Sequence, residues 1–200
     1  AVFAGLKHIF KQRDMIILLI IFFSALGIFN AVTTWVEQII RPRGFDITQA
    51  GITGALMMVG GIFGAAVLPV LSDKFRKRKY FMVLTSICVI PGLIGLTFAG
   101  NYMLLLASSI AFGFFLMAGG PISYQYSAEI CYPAPEATSQ GLLMLVGQIS
   151  GIIFVFGMDI AAGDSPSKTP AMIVFIVLMI INIFLNLKLR ESKMVKADEI

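Results

Sequence analysis

Gly54-Ala-Leu-Met-Met-Val-Gly-Gly-Ile-Phe-Gly64 returns further along the chain as Gly141-Leu-Leu-Met-Leu-Val-Gly-Gln-Ile-Ser-Gly151. Both stretches read G-x-L-M-x-V-G-x-I-x-G, seven identities in eleven positions at an offset of 87. A weaker echo, Ala25-Leu-Gly27-Ile-Phe29 against Ala111-Phe-Gly113-Phe-Phe115, recurs at an offset of 86. Convergence on glycine-rich helix packing would explain one echo. Two at nearly the same spacing favour an internal duplication.

The sequence around these stretches says what is duplicated. Six runs, 15–36, 48–71, 80–98, 103–124, 138–158 and 171–187, contain no Asp, Glu, Lys, Arg or His. Each has 17 to 24 residues, against the roughly 20 needed to cross a hydrocarbon core about 30 Å thick. All 26 formal charges fall in the other 75 of the 200 residues, a segregation that the one-sided helices of a soluble protein would not produce. With 13% charged residues, against about 25% in ordinary soluble domains, the chain cannot clothe a globule in charge. Helices satisfy every backbone amide within the segment, as hydrocarbon demands. The predicted fold is therefore all-α, a polytopic membrane protein with six transmembrane helices. A unit of three helices is odd, so its tandem copy enters the membrane in the opposite sense. This gives a first repeat over 15–98 and an inverted second over 99–187, with a linker or interfacial helix at 1–14 and a tail at 188–200. Such inverted repeats are typical of secondary transporters, whose sites lie near the midplane and whose repeats rock against each other.

Orientation follows from the basic residues. Twelve lie on one side, in the N-terminal arm (Lys7, Lys11, Arg13), the loop after span two (Lys74, Arg76, Lys77, Arg78, Lys79) and the tail (Lys188, Arg190, Lys193, Lys196), against three (Arg41, Arg43, Lys168) on the other. The positive-inside rule then predicts both termini in the cytoplasm, in a cell or inner membrane. The net charge of +4 reflects this asymmetry and gives no case for nucleic-acid binding. Cys88 lies within span three and Cys131 in a predicted cytoplasmic loop, so neither a disulfide nor a metal site is expected. No cofactor is implied, and no removable signal sequence is visible. Phe3 to Phe10 alternate apolar and basic character as an interfacial helix does, and this opening reads as the end of a linker.

Other six-helix classes fail simple tests. An intramembrane serine protease needs a His facing its Ser, yet the only His is His8, outside every span. No Asn-Pro-Ala pair marks a water channel, and a twofold repeat does not fit the threefold plan of mitochondrial carriers. No nucleophile and base share a site, so the chain is not expected to be an enzyme.

The loop Leu71-Ser72-Asp73-Lys74-Phe75-Arg76-Lys77-Arg78-Lys79 resembles the signature of the major facilitator superfamily, where Gly, Asp and a basic run follow an even-numbered helix. Pro69 and Arg76 stand where that signature has glycines. The degenerate form belongs to the C-terminal half, so the resemblance implies helices seven to twelve of a twelve-helix transporter. A second stretch, Glu129-x-x-Tyr132-Pro133-x-x-Glu136, Gly141-Leu142-Leu143 and on to Gln148-x-x-Gly151, with Gly27, Asn30, Thr33, Thr34 and Gln38 in span one, is similar to the feline leukaemia virus subgroup C receptor family. That family is associated with choline, ethanolamine and haem transport. Asn30 appears where its members often carry Tyr, so a choline-type aromatic cage is not carried over.

Phe23, Gly27, Asn30 and Thr34 form one helical stripe on span one, and Met144, Gln148 and Gly151 another on span five. The resemblance places both helices against a central cavity and matches Gln148 to a substrate-contacting Gln. An amide near the midplane needs a partner or water, so Gln148 is read as a ligand contact, while Asn30 is balanced between ligand contact and interhelical hydrogen bond. Phe23, Thr34 and Met144 complete the candidate substrate-binding set. The absence of ionisable side chains from the spans favours a neutral or cationic solute, because aromatic faces attract cations and nothing basic would receive an anion. Proton coupling would need an intramembrane acid or His, which must then lie in a missing half.

Asp73, Arg76, Arg78, Glu129 and Glu136 gather at the predicted cytoplasmic rim as gating candidates. The resemblance gives Asp73 a latch role towards a neighbouring helix end and arginine. Lys77 and Lys79 are better read as anchors to anionic lipid. Gly119-Gly120-Pro121 is expected to break or bend span four, Trp35 to be an interfacial anchor, and Gly60, Gly64, Gly147 and Gly151 to be GxxxG packing pairs. The leading expectation is one bundle of a transporter moving a small organic solute by alternating access. It would work in the lipid bilayer with a missing N-terminal six-helix half or a second copy of itself. The alternative is a non-transporting membrane scaffold or assembly subunit that retains the fold.

Overall fold

The structure, a computed structural model, describes residues 2–163 and 167–192. Lys193 and Lys196, two of the basic residues that orient the chain, lie outside the described residues. A short helix α1 (Val2–Ile9) precedes six long ones: α2 (Arg13–Ile40), α3 (Ile47–Phe75), α4 (Arg78–Phe98), α5 (Tyr102–Cys131), α6 (Glu136–Ala162) and α7 (Thr169–Lys188). All six are long and apolar enough to cross a membrane, and there is no strand among the described residues.

The helices overrun the uncharged spans because charge limits a span while hydrogen bonding and capping limit a helix. α2 continues through Glu37 and Gln38 into a single tight turn at Arg41–Arg43, ended by Gly44 at φ 89°. α3 begins in a capping box: Asp46 Oδ1 accepts from the Gln49 amide at 2.7 Å and Gln49 Oε1 from the Asp46 amide at 2.9 Å, a reciprocal arrangement that satisfies two exposed donors. It ends at Arg76, whose φ of 52° is left-handed. That is the position where the superfamily signature has Gly, the residue with least objection to such a backbone. α5, with 30 residues, extends about 45 Å and so carries Gln125 and Glu129 beyond the uncharged span. The expected break at Gly119-Gly120-Pro121 does not occur, because α5 runs unbroken past Pro121 to Cys131. A proline costs one helical hydrogen bond, and a helix packed among others can absorb that loss.

The repeats interlock. α3, the second helix of the first repeat, lies along α5, the first of the second repeat; reciprocally α6 lies along α2. The third helices follow the same exchange, α4 against α5 and α7 against α2, and also meet each other. This is the inverted three-plus-three arrangement, and Gly27, Gly60, Gly64, Gly113, Gly147 and Gly151 of the echoed sequences stand at its two seams.

The seams are built differently. Along α3 and α5 the backbones themselves touch: a Cβ at Gly60 would stand 2.7 Å from the Ile110 carbonyl oxygen, one at Gly64 would collide with the Phe114 carbonyl, and one at Gly113 with that of Met57. Along α2 and α6 the same glycine positions receive side chains. Phe154 covers Gly27, Leu26 and Phe22 cover Gly147, and Asn30 covers Gly151. Large apolar side chains such as Ile62, Phe63, Ile152, Phe156 and Phe184 point outward, as they must in a bundle whose surroundings are not water.

The backbone seam is expected to be intolerant. Gly64→Leu or Gly113→Leu should cost about 3 kcal/mol or prevent folding, whereas Gly51→Ala, a helical glycine with open space around it, should be neutral or raise stability by about 1 kcal/mol. Thermal unfolding of the purified protein in detergent measures both.

Candidate functional site

Where the two hydrophobic clusters of the core meet, α2 and α5 part to leave a cavity of about 270 Å³ that reaches back to α4 and α7. Phe22, Phe29, Phe115 and Tyr124 give it aromatic walls, and Gly119 and Gly120 leave room beside them. Its polar groups are hydroxyls and amides; no Asp, Glu, Lys, Arg or His lines it. Thr85 and Ser86 both donate to the Met82 carbonyl, at 3.0 and 2.9 Å, so these hydroxyls are partly satisfied by their own helix.

The amides at the back of the cavity come from α7. Asn182, 2% exposed, accepts from the Ser24 hydroxyl of α2 at 2.8 Å through Oδ1. One turn on, Asn186 donates to Ser86 Oγ of α4 at 2.8 Å and to the Asn182 carbonyl at 3.1 Å, while its Oδ1 is buried without a partner. Buried amides are costly unless bonded, so this pair fastens α7 to both neighbours. Sequence reasoning misses it, although two Asn four residues apart in an otherwise apolar final span are a visible signal.

The residues expected to bind substrate lie elsewhere. Phe23 packs edge-on against Phe154, ring centres 5.7 Å apart, and Asn30 is half-buried against Gly151, so both belong to the α2–α6 seam. Thr34 is exposed and donates to the Asn30 carbonyl at 2.7 Å. Met144 and Gln148 are exposed on α6, and the Gln148 amide makes no hydrogen bond among the described residues. None of the five lines the cavity.

Of the rim candidates, three come together. Arg78, buried at the start of α4, bonds Asp73 at the end of α3, Ser72 Oγ at 3.3 Å, and Glu129 Oε1 of α5 at 3.1 and 3.2 Å. Gln125 donates to the same Glu129 oxygen at 3.2 Å. Arg76 is adjacent in the turn, whereas Glu136 is exposed in the first turn of α6 and joins no ion pair among the described residues. The chain's last described residues close over this end, with the Lys79 amide donating to Glu191 at 3.3 Å and Tyr126 to the Arg190 carbonyl at 2.6 Å.

The opposite end has its own cluster. Lys168, 4% exposed, sets its ammonium 2.9 Å from Asp159 Oδ1 and 4.5 Å from the centre of the Trp35 ring. Trp35 in turn donates to the Val155 carbonyl at 3.0 Å. The expected lipid-interface anchor is thus turned into the bundle, because a buried ammonium needs partners and an indole face supplies one.

Six membrane-length helices in two inverted triplets, uncharged within and ion-paired at both ends, define a transporter-type bundle. The Major Facilitator Superfamily matches residues 1–155, and the chain belongs to that family. An uncharacterised protein of Archaeoglobus fulgidus is 31% identical over 74% of this chain and 68% of its own length. Solute carrier family 49 member A3 of Xenopus tropicalis is 31% identical over 76% of this chain and 32% of its own. The choline/ethanolamine transporter FLVCR2 of Rattus norvegicus is 26% identical over 76% and 28% respectively. The resemblance to the feline leukaemia virus receptor group is thus shown, and the chain spans about a third of the length of these two carrier relatives.

Arg78→Met should destabilise the protein by about 3 kcal/mol, since it strands the buried Glu129 carboxylate, and Arg78→Met with Glu129→Met should recover most of that loss. Thermal unfolding of the three proteins side by side tests it.

Proposed function

We propose that this chain forms one six-helix bundle of a secondary transporter that moves a small organic solute, neutral or cationic, by alternating access. The observation that carries the reading is the uncharged cavity between the first helices of the two repeats, with aromatic walls and amide and hydroxyl groups behind them. Such a surface offers an organic cation ring faces and gives an anion no countercharge. The name of the rat relative, a choline/ethanolamine transporter, supports the same substrate class. The working unit needs a second bundle, either elsewhere in the same polypeptide or in a second copy. Both termini of the chain would face the cytoplasm, and on that side Asp73, Arg76, Arg78, Glu129 and Glu136 take part in the inner gate.

In this reading Gln148, Met144 and Thr34 face the second bundle across the translocation path, with Asn30 and Phe23 supporting them from the seam. The exposed amide of Gln148 is the one most available to a solute. Uptake of labelled choline into vesicles holding the complete transporter should be inhibited by organic cations, protonated amino alcohols among them, and not by carboxylates of similar size. Inhibition by carboxylates alone would overturn the substrate class, and no uptake of any solute tried would leave the scaffold alternative standing. Gln148→Ala should lower uptake several-fold at unchanged amounts of protein in the membrane; unchanged uptake returns Gln148 to packing.

A further inference from the structure

The polar wall at the back of the cavity has more acceptors than hydrogens to give them. Asn186 spends both amide hydrogens, one on Ser86 Oγ at 2.8 Å and one on the Asn182 carbonyl at 3.1 Å. Ser86 can receive the first because its own hydroxyl donates to the Met82 carbonyl at 2.9 Å. These bonds fix which way the amide is turned, and its oxygen is left without a partner in a residue that is 1% exposed. Asn182 is scarcely better supplied. The Ser24 hydroxyl has one hydrogen for three acceptors, the Ile20 and Ile21 carbonyls at 3.0 Å each and Asn182 Oδ1 at 2.8 Å. Two amide oxygens one turn apart on α7 therefore have one donor between them, and that one is contested.

An orphaned acceptor is not a neutral feature of a protein interior, because its removal from water costs free energy that only a hydrogen bond returns. Asn182 and Asn186 both stand in the cavity wall, so a donor brought in by an occupant can complete the set without breaking a bond that fastens α7. The α5 wall is of a different kind. Ser123 and Tyr124 line the cavity with hydroxyls that make no hydrogen bond among the described residues, and a hydroxyl can give or receive. A solute with N–H or O–H groups is thus served by α5 and α7 alike, while one with acceptors alone is served only by α5. We infer that Asn186 Oδ1, with Asn182 beside it, is a specificity-determining acceptor that selects cationic or neutral solutes carrying an N–H or O–H donor over solutes of equal charge and similar size that carry none. Charge brings either kind to the aromatic walls; the donor decides between them. The inference rests on the reading of this cavity as the solute site.

Two pairs of cations isolate the donor. Trimethylammonium has an N–H where tetramethylammonium has a methyl group, and choline has an O–H where its methyl ether has none. Stabilisation of the purified complete transporter against heat, followed as each compound is titrated, reads binding whether or not transport occurs. In each pair the donor-bearing member should bind about fivefold more tightly or better, the scale of one buried hydrogen bond. Asn186→Leu should close the gap, while Ser123→Ala with Tyr124→Phe, which strips the α5 hydroxyls, should preserve it. Equal binding within either pair overturns the inference, as it would if a buried water already supplied the missing donor. So does a gap that survives in folded Asn186→Leu or vanishes with the α5 hydroxyls, and so does binding of none of the four. Uptake judges the wider reading separately. Donor preference in binding, without uptake of any solute tried, keeps the acceptor site and removes the transporter; uptake inhibited equally by both members of each pair does the reverse.

Discussion

In hydrocarbon, burying a leucine against another leucine gains little, because the lipid chain it displaces is just as apolar. Cohesion has to come from closeness, and in this bundle closeness comes from glycine. Gly60, Gly64 and Gly113 let α3 and α5 bring backbone against backbone, where many weak attractions add and no side chain has to be ordered. The position of the second helix of one repeat against the first of the other follows, and with it the gap between α2 and α5 that becomes the cavity. A bundle without that contact would have no fixed frame on which to hang either charged end.

Polar groups then act as fasteners at chosen heights. Ser24 with Asn182, and Ser86 with Asn186, join α7 to its neighbours inside the bundle, where a bonded amide is far better than a bare one. The ion pairs given by the described residues stand at the two ends. This division leaves the cavity without a charged side chain in its lining.

The helices are legible in the sequence because only a hydrocarbon environment demands that whole spans go without charge, and the echo at 86 to 87 positions carries the inverted topology. Direction is not legible in the same way. Periodicity puts Asn30 and Gln148 on stripes, yet only packing tells that Asn30 is taken up by the α6 seam while Gln148 remains open. The place of Trp35 near a span end suggests an anchor in the lipid interface, and a lysine 133 positions away determines which way the ring turns. The Asp73, Arg78 and Glu129 cluster is visible in outline because its members share a loop and a rim. The opposite cluster escapes a reading of the sequence because Asp159 and Lys168 flank a loop that carries no motif, and their aromatic partner Trp35 lies 124 and 133 positions away.

The two seams also differ in what a lineage can change. Where α3 meets α5, a Cβ at Gly60, Gly64 or Gly113 strikes a carbonyl, so those positions are closed to larger residues and act as a fixed frame. Where α2 meets α6, Phe154, Leu26 and Asn30 fill the same glycine positions, and side chains can be exchanged for others of similar bulk. Side-chain packing can drift along the second seam while the first preserves the fold, so a single duplicated unit carries one rigid joint and one adjustable one.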